Sequence, residues 1–161
     1  MPERKSRKDA VRNREAVLTA ADALFACRDS PDDVTMADVA AAAGVGKGTL
    51  FRAFGDRAGL LRALYEARLE LIREAVEVGP PPLGPETPPR VRVLALLDAL
   101  LCFKLDNRRL ALALEAGGGS GSPYRPDHYK HWHGLLRAVL EQIPDVRAVM
   151  VTMPIATAKR F

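Results

Sequence analysis

The sequence predicts an all-α protein, and three observations lead to this fold class. Alanine, leucine and arginine dominate the 161 residues, and β-branched residues form few runs. Apolar side chains recur three and four residues apart along most of the chain, which is the period of a helix that buries one side. Prolines and glycines are concentrated between these periodic stretches. We therefore expect helices joined by turns and a few longer loops, in one or two small domains.

The first helix is predicted over residues 11–27, where an apolar stripe recurs at helical spacing: Val17, Ala21, Leu24 and Phe25. Residues 1–14 hold six basic side chains against two acidic ones. Such an arm ahead of a DNA-binding unit is an electrostatic footprint for phosphate or the minor groove, or a solvated, disordered start of the chain, and both interpretations can hold for the same segment. The polar loop RDSPDD follows at residues 28–33.

Residues 35–61 predict a short helix, a tight turn, a second short helix and the start of a long third one. Thr35 and Asp38 have the spacing of a capping box, and Gly44 lies where a left-handed residue ends the first of these helices. Leu50 and Phe54 lie on the inner face of the second. The residues left outside are Lys47, Gly48, Thr49, Phe51 and Arg52. This is the layout of a helix-turn-helix, whose second helix enters the major groove of DNA.

The same residues, AAAGVGKGTLFRAFGDRAGLL, resemble the recognition segment of TetR-type transcriptional regulators. The pattern of that family is close to A-x-x-A-G-V-S-x-x-T-L-Y-x-x-F-x-x-K-x-x-L. The resemblance implies a three-helix, homeodomain-like helix-turn-helix domain followed by a helical ligand-binding and dimerisation domain. Three positions depart from the pattern and bear on DNA affinity. Gly46 replaces a capping serine or threonine, Phe51 replaces a tyrosine, and Arg57 replaces a lysine with its charge kept.

The resemblance implies double-stranded operator DNA as a partner. The predicted DNA-binding residues are Arg14, Thr35, Lys47, Gly48, Thr49, Phe51, Arg52 and Arg57. We expect Thr49 at a base edge or a thymine methyl group, Arg52 at a base or a phosphate, and Lys47 and Arg57 at phosphates. For Arg14, a phosphate contact and an ion pair with a nearby carboxylate on the protein are equal alternatives.

The rest of the chain predicts a second helical region. A long helix over residues 57–78 begins after Asp56 as N-cap, with apolar positions at Leu60, Leu61, Leu64, Leu71 and Ile72. Six prolines in residues 79–89 form a linker that cannot be helical. The helix at 90–106 is apolar nearly all round, as in a central core helix, and further helices follow at 108–116 and 127–143. We place one domain at residues 1–55 and the second at 56–161.

All three histidines lie at residues 128–133, beside Tyr129 and Trp132. His128 and His131 share a helical face, but neither a third histidine nor a cysteine or carboxylate has suitable spacing, so we predict no metal and no cofactor. The predicted contacts of a small-molecule effector are Phe103, Tyr129, Trp132 and Leu136. For Trp132, a place in the ordinary core is an equal alternative.

Residues 145–161 differ from the resembled family, which has a long further helix at this point. Val146, Val149, Met150 and Met153 have helical spacing, but Pro154 ends the pattern. In the family the last helices form the interface of a homodimer. We therefore expect a shortened or altered C-terminus and a homodimer whose interface is in question.

Other function classes lack support in the sequence. No phosphate-binding glycine loop, nucleophile elbow or pair of carboxylates on one face is present, so we do not expect an enzyme. No apolar run could span a bilayer and no secretory signal is present, which predicts a cytoplasmic protein with Cys27 and Cys102 as reduced core or near-core thiols. The helix-turn-helix pattern predicts a DNA-binding transcriptional regulator, and the resemblance to the TetR type implies a repressor that a ligand releases. The alternative is a ligand-binding or protein-interaction module whose truncated dimer interface leaves only weak DNA binding.

Overall fold

The computed structural model describes residues 3–28, 33–116 and 126–144, and these residues form seven α-helices. The helices are α1 (Glu3–Cys27), α2 (Met36–Ala42), α3 (Lys47–Phe54), α4 (Arg57–Glu77), α5 (Pro89–Asp106), α6 (Arg108–Ala116) and α7 (Pro126–Leu140). No strand occurs among the described residues, and the all-α prediction is confirmed. Most of the predicted loop at 28–33, the glycine-rich loop at 117–125 and the C-terminal segment at 145–161 lie outside them.

The helices belong to two compact units. The first contains α1, α2, α3, the part of α4 up to Leu71, the end of α5 from Lys104, and α6. The second contains α4 from Ile72, the proline-rich linker, α5 up to Phe103, and α7. These units describe packing alone. The domain boundary that we place after residue 55 rests on the helix-turn-helix pattern and stays a prediction.

The first unit has a core that joins α1 to the two short helices and to the start of α4. Its most deeply buried side chains are Val17, Ala21, Val39, Leu50, Leu60, Leu61 and Leu64. α1 begins at Glu3, well before the predicted start at residue 11. Residues 3–10 contain neither glycine nor proline and are mostly good helix formers, so the basic arm continues the helix towards the N-terminus.

The second unit packs around three buried side chains that come from three different helices: Val76 of α4, Leu96 of α5 and Val139 of α7. Leu83 of the linker also packs against this cluster. The linker is anchored by Arg92 of α5, which is itself buried and donates hydrogen bonds to two backbone carbonyls, those of Leu83 and Val76. The linker is thereby held both by the packing of Leu83 and by the two hydrogen bonds from Arg92.

Three predictions about burial are wrong. α5 is not a central core helix, because Leu94 is 69% exposed and Leu101 56% exposed, while Leu96 and Phe103 lie on its buried side. A helix that packs on one side only buries one face, whatever the composition of the other. Leu71 of α4 is likewise 68% exposed. Both free cysteines, Cys27 and Cys102, are exposed rather than part of the core.

Candidate nucleic-acid interface

The capping box at the start of α2 has formed as predicted. The hydroxyl of Thr35 accepts a hydrogen bond from the backbone N–H of Asp38 at 3.2 Å, and the Asp38 carboxylate accepts from the backbone N–H of Thr35 at 3.0 Å. The Thr35 hydroxyl also donates to this carboxylate at 2.7 Å. The bond from the Thr35 side chain and then that from its backbone stabilise the ionised form, so the pKa of Asp38 lies below its ordinary value.

The turn between α2 and α3 depends on a left-handed glycine. Gly44 has φ of 65°, and the next amide, that of Val45, donates to the carbonyl of Ala40 at 3.0 Å. A Cβ at Gly44 would have no atom within 4 Å, so the backbone conformation alone selects glycine here. Gly46 is the N-cap of α3 and gives no side-chain hydrogen bond to the helix. The sequence predicted both features.

α3 is anchored by one face and presents the other to solvent. Leu50 is fully buried and Phe54 is buried, as predicted. Gly48 and Arg52 lie about half a helical turn away from that buried face and are exposed. Beside them, Phe51 is 48% exposed. Lys47 is exposed at the first position of the helix and Thr49 is half-buried. An exposed helix face with basic, hydroxyl and aromatic side chains suits contact with base edges and phosphates.

Arg52 lies back along α3 towards its N-terminus. Its Nε donates to the carbonyl of Gly48, one turn earlier, at 3.3 Å. A Cβ at Gly48 would stand 4.0 Å from Nη2 of Arg52, so the guanidinium lies close over the glycine backbone. The helical spacing predicted that Gly48 and Arg52 lie on the outer face of α3, but it did not predict the contact between them.

Arg14 of α1 reaches the far end of α3. Its guanidinium carbon lies 4.7 Å from the centre of the Phe54 ring, and Nη1 donates to the carbonyl of Ala53 at 3.5 Å. Neither contact was predicted, because the residues are about forty positions apart and no local signal connects them. The side chain is exposed, so donors of the same guanidinium also face solvent.

The junction of α3 and α4 is fixed by Asp56 and a glycine that the sequence analysis missed. The Asp56 carboxylate accepts from the backbone N–H of Gly59 at 2.7 Å, which makes it the predicted N-cap. A Cβ at Gly59 would collide with the backbone carbonyl of Phe54, and this carbonyl cannot move without shifting the end of α3. A glycine three residues after the cap was the available signal. Arg57, at the first position of α4, is half-buried.

The predicted effector residues lie in the second unit. Trp132 and Leu136 pack against the cluster of Val76, Leu96 and Val139, and Phe103 is buried. The side chain of Tyr129 lies outside the described part of the chain. These contacts suit the core and the ligand interpretations of Trp132 equally.

His131 of the histidine region contacts Glu77 of α4 and its neighbour Trp132. Nε2 of His131 lies 3.8 Å from a carboxylate oxygen of Glu77, and its ring meets Trp132 edge-on with 5.2 Å between the centroids. Among the residues that the structure describes, no three histidine, cysteine or acidic side chains converge as metal ligands would. Over the same residues, no helix combines the length and apolar character that a bilayer crossing requires.

Comparison with known proteins matches the region whose geometry is given above. The family described as bacterial regulatory proteins, tetR family, matches residues 17–64. A helix-turn-helix-type transcriptional regulator of Staphylococcus aureus strain USA300 is 29% identical over 125 residues, which are 77% of this chain and 65% of the relative. One from the bovine strain RF122 is 30% identical over the same length. The chain thus spans about two thirds of the length of these relatives. No solved structure gave a significant match.

Proposed function

Since residues 17–64 form a helix-turn-helix domain of the TetR family of bacterial regulatory proteins, we propose that the chain is a transcriptional regulator that reads operator DNA through α3. One observation carries this proposal. The side of α3 opposite the buried Leu50 and Phe54 is exposed and holds Gly48 and Arg52. A recognition helix needs this division, because one face must be held rigidly while the other enters the major groove.

Phosphate contacts come from the basic side chains around α3. Lys47 is exposed at the start of the helix, where the helix dipole also favours an anion, and Arg57 opens the next helix. Thr35, the N-cap of α2, contributes a further phosphate contact at the start of that helix. Arg14 brings a guanidinium to the other end of α3. These contacts fix the protein on the duplex, and they make binding strongly dependent on salt.

The regulator acts as a repressor that a small molecule releases from DNA. The effector binds among Phe103, Tyr129, Trp132 and Leu136, and it must bind more tightly to a state whose recognition helices no longer fit the operator. The DNA-bound form is a homodimer, since two linked recognition helices gain affinity from joint binding to two half-sites. The names of the Staphylococcus aureus relatives, which describe transcriptional regulators, support the regulatory role.

Equilibrium binding to a DNA fragment from upstream of the gene tests the DNA-binding proposal. We expect binding that tightens as salt is lowered and that exceeds binding to a scrambled fragment. Lys47→Gln should weaken it, because a phosphate contact is lost. Lys130→Gln, which removes an exposed lysine from α7, is the matched control and should change affinity little. Equal affinity for both fragments, or equal effects of the two substitutions, would contradict the proposal. Sedimentation of the free and bound chain tests the homodimer.

A further inference from the structure

The contact between Arg52 and Gly48 allows a more specific statement about the DNA that this helix reads, and it rests on the proposed function. Arg52 occupies the middle of the exposed face of α3, with Thr49 on one side and Phe51 on the other. In a helix-turn-helix this face meets the floor of the major groove, whereas the phosphates lie at its rims. The position of Arg52 therefore favours a base over a phosphate.

The guanidinium of Arg52 also makes a hydrogen bond to α3 itself. Nε donates to the carbonyl of Gly48 at 3.3 Å, and this bond directs the group back along the helix towards Gly48, in its first turn. The N-terminal part of a recognition helix is the part that contacts base edges. A Cβ at Gly48 would stand 4.0 Å from Nη2, which is ordinary van der Waals contact, so alanine would leave this arrangement in place. A longer side chain would occupy the surface along which the guanidinium lies.

The chemistry of the guanidinium identifies the base. With Nε bound to the backbone, the two Nη groups remain as a pair of donors, and arginine has no acceptor. In the major groove only guanine offers two adjacent acceptors, O6 and N7, on one base edge. Adenine offers one acceptor beside a donor, and cytosine offers a donor. α3 contains no acidic side chain that would compete for the group. We infer that Arg52, laid along Gly48, reads a guanine in the major groove.

Selection from a pool of duplexes with a randomised central region tests this inference without a known operator. The purified chain should enrich sites with a guanine at one fixed position. Arg52→Lys keeps the charge but loses the planar fork, and Arg52→Met loses both, so both variants should lose the enrichment at that position alone. Affinity for the sites selected by the unsubstituted protein should fall about 5- to 150-fold. Lys47→Gln is the matched control, which should weaken binding to all sites alike and leave the selected sequence unchanged.

A change of one atom in the DNA makes the test sharper. When 7-deazaguanine replaces the selected guanine, N7 is lost as an acceptor, so the unsubstituted protein should bind more weakly. The Arg52→Met variant should not respond, because it no longer contacts that atom. Since Arg52 is exposed, unchanged melting temperatures of both variants confirm that they are folded.

The possible outcomes separate the inference from the proposed function. If the unsubstituted chain enriches no sequence at all, the regulator proposal fails and the inference fails with it. If it enriches a sequence and Arg52→Met keeps every preferred position, or if 7-deazaguanine weakens both proteins equally, the chain reads DNA but Arg52 does not read guanine.

Discussion

The guanidinium of Arg14 on α1 lies over the ring of Phe54, the last residue of α3, at 4.7 Å from the ring centre. The same group donates to the carbonyl of Ala53, one of the last carbonyls of α3, which have no partner within the helix. A cation is favourable at this end because the helix dipole is negative there. Phe54 is buried, so Arg14 ties α3 to α1 through a side chain of the core.

Replacing Arg14 by methionine should destabilise the fold by about 0.5–1 kcal/mol, the range for a cation–π contact at an exposed site. Methionine keeps an apolar chain against the ring but removes the charge. Urea denaturation measures the change. The matched control is Arg12→Met, which removes an exposed arginine two positions earlier on the same helix and should change little. Equal losses in the two variants would mean that the contact with Phe54 contributes nothing.

Gly44→Ala should destabilise the protein by about 1 kcal/mol, because an L-residue resists the left-handed conformation that the turn requires. No atom obstructs the added methyl group, so the cost is one of backbone conformation alone. The control is Gly48→Ala, which adds the same methyl group inside α3 and should stabilise the helix by about 0.5–1 kcal/mol. Thermal unfolding of both variants gives the comparison. A neutral Gly44→Ala would indicate that the turn adopts another conformation.

The region from α2 to α3 was predictable because its signals are local. Thr35, Asp38 and Gly44 act on backbone groups within a few residues, and the spacing of Leu50 and Phe54 defines the inner face without knowledge of what it packs on. The TetR family match at residues 17–64 confirms the resemblance drawn from this region. Local chemistry therefore determined the part of the fold that carries the proposed function.

Other features were not predictable because they depend on partners far away in the sequence. α5 is rich in leucine all round, so its composition could not indicate that Leu96 faces the cluster with Val76 and Val139 while Leu94 faces solvent. The partners of Arg14 and Arg68 lie about forty residues away in the chain. A pattern of apolar residues specifies periodicity, and only the assembled fold specifies which face meets a neighbour.

The pKa of Asp38 should depend on the hydroxyl of Thr35. In the folded protein this pKa is below the ordinary 3.8, because the side chain and backbone of Thr35 donate to the carboxylate. A depressed pKa means that the capping contribution is complete above about pH 4 and is lost as the pH falls through the folded value. Thr35→Val removes the hydroxyl but keeps the backbone donor, so the pKa should rise part of the way. An NMR titration of the Asp38 carboxyl measures this, and an unchanged value would contradict the role of the hydroxyl.

Arg68 of α4 should couple this helix to α1 and to the turn between α5 and α6 in the first unit. Its Nε lies 2.6 Å from the carboxylate of Asp22 on α1, and Nη1 donates to the side-chain oxygen of Asn107, between α5 and α6, at 2.5 Å. Asn107 is buried, so Arg68→Met should cost about 1–3 kcal/mol through the lost charge-assisted bond. Asp22→Ala should cost less, at most about 1 kcal/mol, since that carboxylate is half-exposed and solvent screens the pair.

A double-mutant cycle isolates the bond between Arg68 and Asn107. If the two side chains interact, the combined variant Arg68→Met with Asn107→Ala should lose less stability than the sum of the single variants. Arg62→Met, six residues earlier on α4 and half-buried, controls for the loss of an arginine from this helix. Strict additivity of the two substitutions would show that the bond contributes no coupling energy.

Arg92 should be the most important polar residue of the second unit. It is only 8% exposed, and it donates to the carbonyl of Val76 at 2.8 Å and to that of Leu83 at 2.9 Å. The Val76 carbonyl lies in the last turn of α4, where no helical donor remains, and the Leu83 carbonyl lies in a segment without regular hydrogen bonds. A buried guanidinium is costly unless such bonds satisfy it, so Arg92 depends on both carbonyls, and each carbonyl loses this donor when Arg92 is replaced.

Arg92→Met keeps the apolar stem but leaves both carbonyls without their donor, and we expect a loss of about 2–4 kcal/mol in the free energy of unfolding. The free energy of unfolding of Arg92→Lys should lie between those of Arg92→Met and the unsubstituted protein. The reason is that an ammonium group on a flexible stem replaces the planar fork that reaches both carbonyls. Arg90→Met, at an exposed position two residues earlier, should change stability by less than about 0.5 kcal/mol. Urea denaturation gives these energies.

Hydrogen exchange at residues 83–87 should accelerate in Arg92→Met alone, since the linker is then released from α5. If exchange there stayed as slow as in the unsubstituted protein, the linker would be held by the packing of Leu83 and not by Arg92.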